Sequence, residues 1–265
     1  EAHNNLANAY AVHSYNVDMG GKQDAGIPFA RKGIVILEAL VAEHPQDSRL
    51  QFELGRAYSA LASILPGPER DPALVEESLA LNRKALAIDE PLVAATSGGN
   101  REYVHSLLAD YINIALLLNA KGDYAAGLAS VRAAEPWIAS LPADKNDKQV
   151  PLDATFLDWH GGRSLLELGR FAEAGKAFTR SYASLQKIAA ESDTLQVQYL
   201  MGGMAWGLGE VNARQQRWAA AKEWYGKAIP HFDTVTAAIT LDYLDQKPVD
   251  MAVAGLARSK AELAK

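Results

Sequence analysis

Histidine is the side chain best suited to moving protons near neutral pH. Six occur, at positions His3, His13, His44, His105, His160 and His231. None stands in His-Glu-x-x-His, and no two are four residues apart, so no helix presents a zinc-binding pair. His44 precedes Pro45 at a predicted helix end, where a cation suits the helix dipole. His160, beside Trp159, Gly161, Gly162 and Arg163, has the most reactive company. Cysteine is absent, which removes thiol nucleophiles, disulfides and thiolate metal ligands. No Gly-x-x-x-x-Gly-Lys-Ser/Thr and no Gly-x-Ser-x-Gly occurs. Ser97-Gly98-Gly99-Asn100 precedes a helix and offers free amides for an anion, but it also reads as a loop with a helix cap. Met201 to Gly209 is glycine-rich within a predicted helix, which suits close helix contact. Glu76-Glu77 and Asp242/Asp245 read as solvated faces, and Asp144-Lys-Asn-Asp147 lacks the ligand count of a calcium loop. The residues therefore point to a chain that is not an enzyme, with no catalytic residue, no metal site and no cofactor.

The bulk properties agree. Lys and Arg number 26 against 32 Asp and Glu, a net charge of −6. Nucleic-acid binders need clustered positive charge to release counterions, so nucleic acid is excluded as a partner. With 49% hydrophobic and 22% charged residues the chain has a folded rather than a disordered composition. No stretch reaches the roughly 18 apolar residues of a membrane span, so no direct membrane insertion is expected. The start at Glu1, without Met or a basic leader, gives the sequence the look of a piece of a longer protein.

The apolar residues fall at helical spacing almost throughout. Leu37, Leu40 and Val41 show it, as do Leu107, Leu108 and Tyr111. Breakers recur at Gly20-Gly21, Pro45, Pro66-Gly67-Pro68, Pro91, Gly98-Gly99, Gly122, Pro142, Pro151, Gly169 and Pro248. Asp47, Asp71, Asn100, Asp123, Asp153 and Asp193 are candidate helix starts just after such breaks. Pro28, Pro136 and Pro230 are expected to begin, kink or end helices. Stacking short segments reveals a repeat. Lys121-Gly-Asp-Tyr-Ala-Ala-Gly-Leu128 matches Leu168-Gly-Arg-Phe-Ala-Glu-Ala-Gly175 and Gln216-Arg-Trp-Ala-Ala-Ala-Lys222. A bulky residue follows in each (Val131, Phe178, Tyr225), then a small one (Ala134, Ser181, Ala228). Upstream, small residues at Ala7, Gly55, Ala115, Gly162 and Gly209 recur about 47 residues apart, with one gap of about 60.

The tight turn, the aromatic after it and the small residues at the helix crossing resemble the tetratricopeptide repeat. Lys84-Ala-Leu-Ala-Ile-Asp-Glu-Pro91 resembles its closing segment. The family period is about 34 residues, so helices on the order of 16–22 residues are expected here, and HEAT-like repeats of similar period are the alternative. The resemblance implies an all-α fold: a right-handed α-α superhelix, a single solenoid domain over 1–265. The expected helix pairs are 3–18 with 24–43, 47–64 with 71–89, 100–120 with 123–140, 152–168 with 171–190, and 194–215 with 217–231. A capping helix is expected at 249–263, and 141–152 is the most loop-like connection.

The resemblance also implies that first helices line a concave, partner-binding surface. Inward positions are then Asn5, Asn8 and Val12; Phe52, Arg56 and Ser59; Ile112, Asn113 and Leu116; Trp159, His160 and Arg163; and Trp206, Glu210 and Ala213. Candidate ligand-binding residues are Asn8, Phe52, Arg56, Asn113, Trp159, His160, Arg163, Trp206 and Glu210. Tryptophan and arginine are common binding anchors, although paired tryptophans also serve as packing between long helices. The Lys/Asn clamp of chaperone-tail adaptors is not reproduced. Tyr10-Ala-Val-His-Ser-Tyr15, the 18–24 turn, the Ala30–Pro45 helix and Leu54-Gly-Arg-Ala-Tyr58 resemble tetratricopeptide regions C-terminal to bacterial Ser/Thr kinases. No kinase signature lies within the chain. The expectation is a periplasmic sensor or scaffold that binds a protein or peptide, with a homodimer compatible and a cytoplasmic location the alternative. Assembly by oligomerisation and small-molecule sensing are the other readings.

Overall fold

The structure, a computed structural model, describes residues 26–65, 72–141, 147, 149–241 and 243–265. Ten helices and no strand occur among them. They are α1 (Ile27–Glu43), α2 (Ser48–Ile64), α3 (Pro72–Ala95), α4 (Arg101–Ala120), α5 (Tyr124–Ser140), α6 (Gln149–Glu167), α7 (Phe171–Glu191), α8 (Leu195–Arg214), α9 (Trp218–Thr236) and α10 (Tyr243–Leu263). The expected first helix, 3–18, lies outside the described residues.

Local chemistry explains most boundaries. Asp47 accepts from the backbone N–H of Arg49 and Leu50, and Asn100 from those of Glu102 and Tyr103. Asp123 accepts from Ala126 N–H. These satisfy orphan amides of the first turn. Asp153 is not a cap. The helix starts earlier, with Asp147 accepting from Gln149 and Val150 N–H, and Pro151 tolerated in the first turn. At α8 the cap is Thr194, which takes Val197 N–H, while Asp193 instead accepts from the Gln198 amide. Pro28 opens α1, and Pro136 and Pro230 lie inside helices.

Two ends differ from expectation. α3 runs through Pro91 to Ala95. An interior proline costs about 3 kcal/mol, but continuing the helix buries Leu92 and Val93, each worth about 1.5–3 kcal/mol. α10 begins at Tyr243 rather than near 249 and carries Pro248 inside it.

Contacts divide the chain into two compact units, Glu1–Lys121 with Ala133–Ala143, and Gly122–Arg132 with Asp144–Lys265. In the first, α2 packs on α1 and α3, α3 packs on α4, and α2 touches α4. Its core is built on Leu37, Leu54, Leu61 and Ala85. In the second, α6 to α10 pack each on the next, and α8 also contacts both α6 and α10. Contact between every other helix is the signature of stacked helical pairs, since first helices meet first helices.

The second unit shows why small and bulky residues alternate. A Cβ on Gly162 would lie 2.5 Å from the Phe178 ring, and one on Gly207 would lie 2.6 Å from the same ring. Tyr225 is held likewise, with Gly209 at 2.6 Å and Gly255 at 2.4 Å. Each ring is clamped between glycines of the preceding and following first helices, and any larger residue would displace it. Gly255 thus makes α10 the next first helix of the stack as well as a cap. Ala134, Ser181 and Ala228, the expected small residues, are fully buried. The turns before α5 and α7 use left-handed glycines, Gly122 (φ 81°) and Gly169 (φ 73°). Before α9 the same turn is made by Gln216 at φ 57°.

Candidate functional site

The first unit places Phe52 and Arg56 on α2 and Asn113 on α4. Phe52 is inside, its ring 4.7 Å from Tyr103, with the Arg56 guanidinium 5.8 Å above it. Arg56 is exposed but engaged: Nη1 lies 3.5 Å from Glu102 and 3.9 Å from Glu53. Arg49 bridges the same two carboxylates, 2.6 Å from Glu53 and 3.5 Å from Glu102. Such surface pairs contribute at most about 1 kcal/mol each, yet they neutralise Arg56. Asn113 is half-buried and points its amide at Asn82, 3.5 Å away. Asn8, with Asn5 and Val12, lies outside the described residues.

Beneath this surface lies a polar cluster that the sequence reading did not single out. Asp89 of α3 and Asp110 of α4 are both fully buried. Ser59, which the reading did place inward, donates to Asp110 at 2.6 Å. Burial pushes the Asp89 carboxyl up to about 6, with the Ser106 hydroxyl pulling the other way. Burial pushes Asp110 up to about 8, with Ser59 opposing and the Asp89 charge adding to the rise. A lone acid in the apolar run Leu107-Leu-Ala-Asp-Tyr111 was its only signal.

The second unit carries Trp159, His160 and Arg163 on α6 and Trp206 and Glu210 on α8, two helices in contact. Both tryptophans are buried, at 3% and 2% exposure. Trp159 stacks on Tyr199 at 5.0 Å, and it fits only because Gly203 lacks a side chain, whose Cβ would lie 2.3 Å from the indole. Trp206 packs with the cluster around Tyr225 and Phe232. His160 is buried, its ring 6.3 Å from that of Trp159. Burial, with the Arg163 charge adding, pushes its pKa down to about 3, so it is neutral across the physiological range. Glu210 is a buried acceptor for the Tyr225 hydroxyl, with Arg214 and Arg258 each 3.7 Å away. It ties α8 to α9 and α10.

Arg163 differs from its neighbours. It is half-buried, and burial lowers its pKa, offset in part by Tyr199, Tyr124 and Glu167. Glu167, the acid among these, already accepts from Arg214 at 2.9 Å. Among the described residues no carboxylate pairs with the Arg163 guanidinium. The site can therefore attract a carboxylate, with tyrosines beside it. Among the described residues no group of three or more His, Asp or Glu is placed to hold a metal ion, and no helix is long and apolar enough to cross a membrane.

No protein-family model matches the sequence, and no curated protein sequence matches it. The crystal structure of BtubC (BKLC) from P. vanneervenii is similar in fold. Its TM-score is 0.57 at 14% identity, covering 92% of this chain and 91% of that one. With the helix-on-alternate-helix packing, this likeness establishes a helical, solenoid-like repeat fold.

Proposed function

We propose that this chain is a non-catalytic tetratricopeptide domain that binds a protein or peptide on the face of its first helices. It would serve as the sensor or scaffold part of a bacterial receptor-like Ser/Thr kinase, on the periplasmic side of the inner membrane. The repeat motif supports the tetratricopeptide reading, and the N-terminal resemblance supports the kinase context. The observation that carries partner binding is Arg163, a half-buried guanidinium beside Tyr124 and Tyr199 that makes no ion pair among the described residues, the nearby Glu167 being held by Arg214. Burying a charge without a partner is unfavourable, and a partner carboxylate would relieve it through a charge-assisted hydrogen bond. His160, buried and neutral, and Glu210, buried and bonded to Tyr225, are read as structural rather than reactive.

The test is calorimetric titration of a panel of short peptides with free C-termini against their amidated counterparts. Arg163→Met should weaken free-carboxylate binding by at least about tenfold, or about 1.4 kcal/mol. Arg56→Met, already neutralised by Glu53 and Glu102, should leave it unchanged. Equal binding by wild type and Arg163→Met overturns the assignment. Substrate turnover by the purified chain overturns the non-catalytic reading.

A further inference from the structure

A groove of about 680 Å³ lies along α7 and α9 above α8. That is within the size range of ligand clefts. Leu208 and Val211 of α8 form an apolar floor, flanked by Phe171 and Trp224. Lys176, Arg180 and Arg217 line it, and no acidic residue does. Arg180 is tied to Asp158, its Nε donating at 3.1 Å. Arg217 donates to the Gln215 side-chain amide oxygen rather than to a carboxylate. Lys176 makes no ion pair among the described residues; its charge reaches Glu173 at longer range, and Glu173 is itself held by Arg170. The groove is thus positive in a chain whose net charge is −6.

A second feature points the same way. Glycine inside a helix is unfavourable, and the ring-clamping glycines of this unit are there because a Cβ would strike Phe178, Trp159 or Tyr225. Gly175, on the groove wall, has no such reason. A Cβ there would meet only Val211 Cγ1, at an ordinary 3.6 Å. Its effect is to keep the floor open where a side chain would fill it.

We propose that this groove binds an acidic peptide segment of a partner protein, carboxylates against Lys176 and Arg217 and an apolar side chain on the floor between Gly175 and Val211. Charge complementarity selects the occupant, since cations at a rim steer and fix anionic partners. The flanking aromatics supply the anchoring surface. An extended nucleic acid is disfavoured by the chain's own negative charge. This surface is separate from the one proposed at Arg163 and does not depend on it.

The experiment uses the full chain and a fluorescein-labelled, C-terminally amidated peptide alternating glutamate and leucine, followed by anisotropy. Saturable binding that weakens with added NaCl is expected. Lys176→Glu combined with Arg217→Glu should weaken it at least tenfold, and so should Gly175→Leu, with helical circular dichroism unchanged. Gly226→Leu is a control, because nothing lies within 4 Å of a Cβ at that position. That control and Arg163→Met should bind as wild type does. The proposal is overturned by absence of saturable binding, by equal binding of a lysine–leucine peptide, by wild-type affinity in either groove variant, or by preference for a single-stranded oligonucleotide.

Discussion

Replacing Asp110 by Asn tests the buried acid cluster of the first unit. Asn keeps the shape and an acceptor for Ser59, but it cannot ionise. Asp110 is raised to about 8 in the fold, from about 3.9 when unfolded. A carboxyl whose folded pKa is raised adds stability at low pH and loses it as pH climbs through the folded value. Asp89, raised to about 6, has largely finished that loss by pH 6.5. The buried His160 and the half-buried His231, both lowered, act with the opposite sign, and their contribution fades as pH rises past about 7.5. The difference between the wild-type and Asp110→Asn profiles from pH 6.5 to 9 therefore isolates Asp110. Integrating the linkage over that interval gives the wild type a loss about 2 kcal/mol greater than that of Asp110→Asn. Urea unfolding followed by circular dichroism at several pH values measures the slope. An Asp110→Asn profile as steep as that of the wild type refutes the reasoning.

Three further outcomes follow from packing and backbone geometry. Gly203→Ala puts a Cβ 2.3 Å from the Trp159 ring and should destabilise by about 2 kcal/mol, seen as a lower Tm and a changed near-ultraviolet tryptophan signal. Gln216→Gly removes a left-handed non-glycine residue from the turn before α9 and should stabilise by about 1 kcal/mol in urea unfolding. Glu210→Ala leaves the buried Tyr225 hydroxyl without its acceptor and should cost about 3 kcal/mol by the same measurement.

The repeat was legible because each of its parts has a local cause. Asp47, Asn100 and Asp123 cap helices by side-chain chemistry that two or three residues determine. Gly162 and Gly209, and Phe178 and Tyr225, stood out as recurring small and bulky positions, and in the fold each glycine receives one of those rings. What escaped depends on distant neighbours. Pro91 reads as a stop until Leu92 and Val93 are known to be buried. Gly255 belongs to no obvious motif, and only the Tyr225 ring explains it. Of the candidate site residues, position along the first helices said which side chains share a surface but not how deep they sit. Arg56 and Arg163 are equivalent in the repeat, yet one is exposed and paired with two acids and the other half-buried with no ion pair among the described residues. Asp89 and Asp110 are ordinary aspartates in sequence, and only burial changes their chemistry.

The two units fill the same crossing differently, and this assigns them different stabilities. In the second unit Gly162 and Gly209 receive the rings of Phe178 and Tyr225, apolar surfaces whose burial contributes about 1.5–3 kcal/mol each. In the first unit the equivalent Gly55 receives a carboxylate, with Asp89 Oδ1 3.0 Å from where a Cβ would stand. The first crossing loses that apolar gain and adds the desolvation of an acid, with a second acid, Asp110, beside it. Opening of α2, α3 and α4 should therefore lie at the low end of the molecule's local stabilities and fall further as pH rises toward 9. Opening of α7 to α9 around the clamped rings should show no such fall, since the half-buried His231 of α9, lowered by burial, adds stability as pH rises through 6.5. Amide hydrogen exchange at pH 6.5 and 9, corrected for intrinsic rates, reads both at once. Equal pH response in the two units would mean that the buried carboxylates do not govern the first.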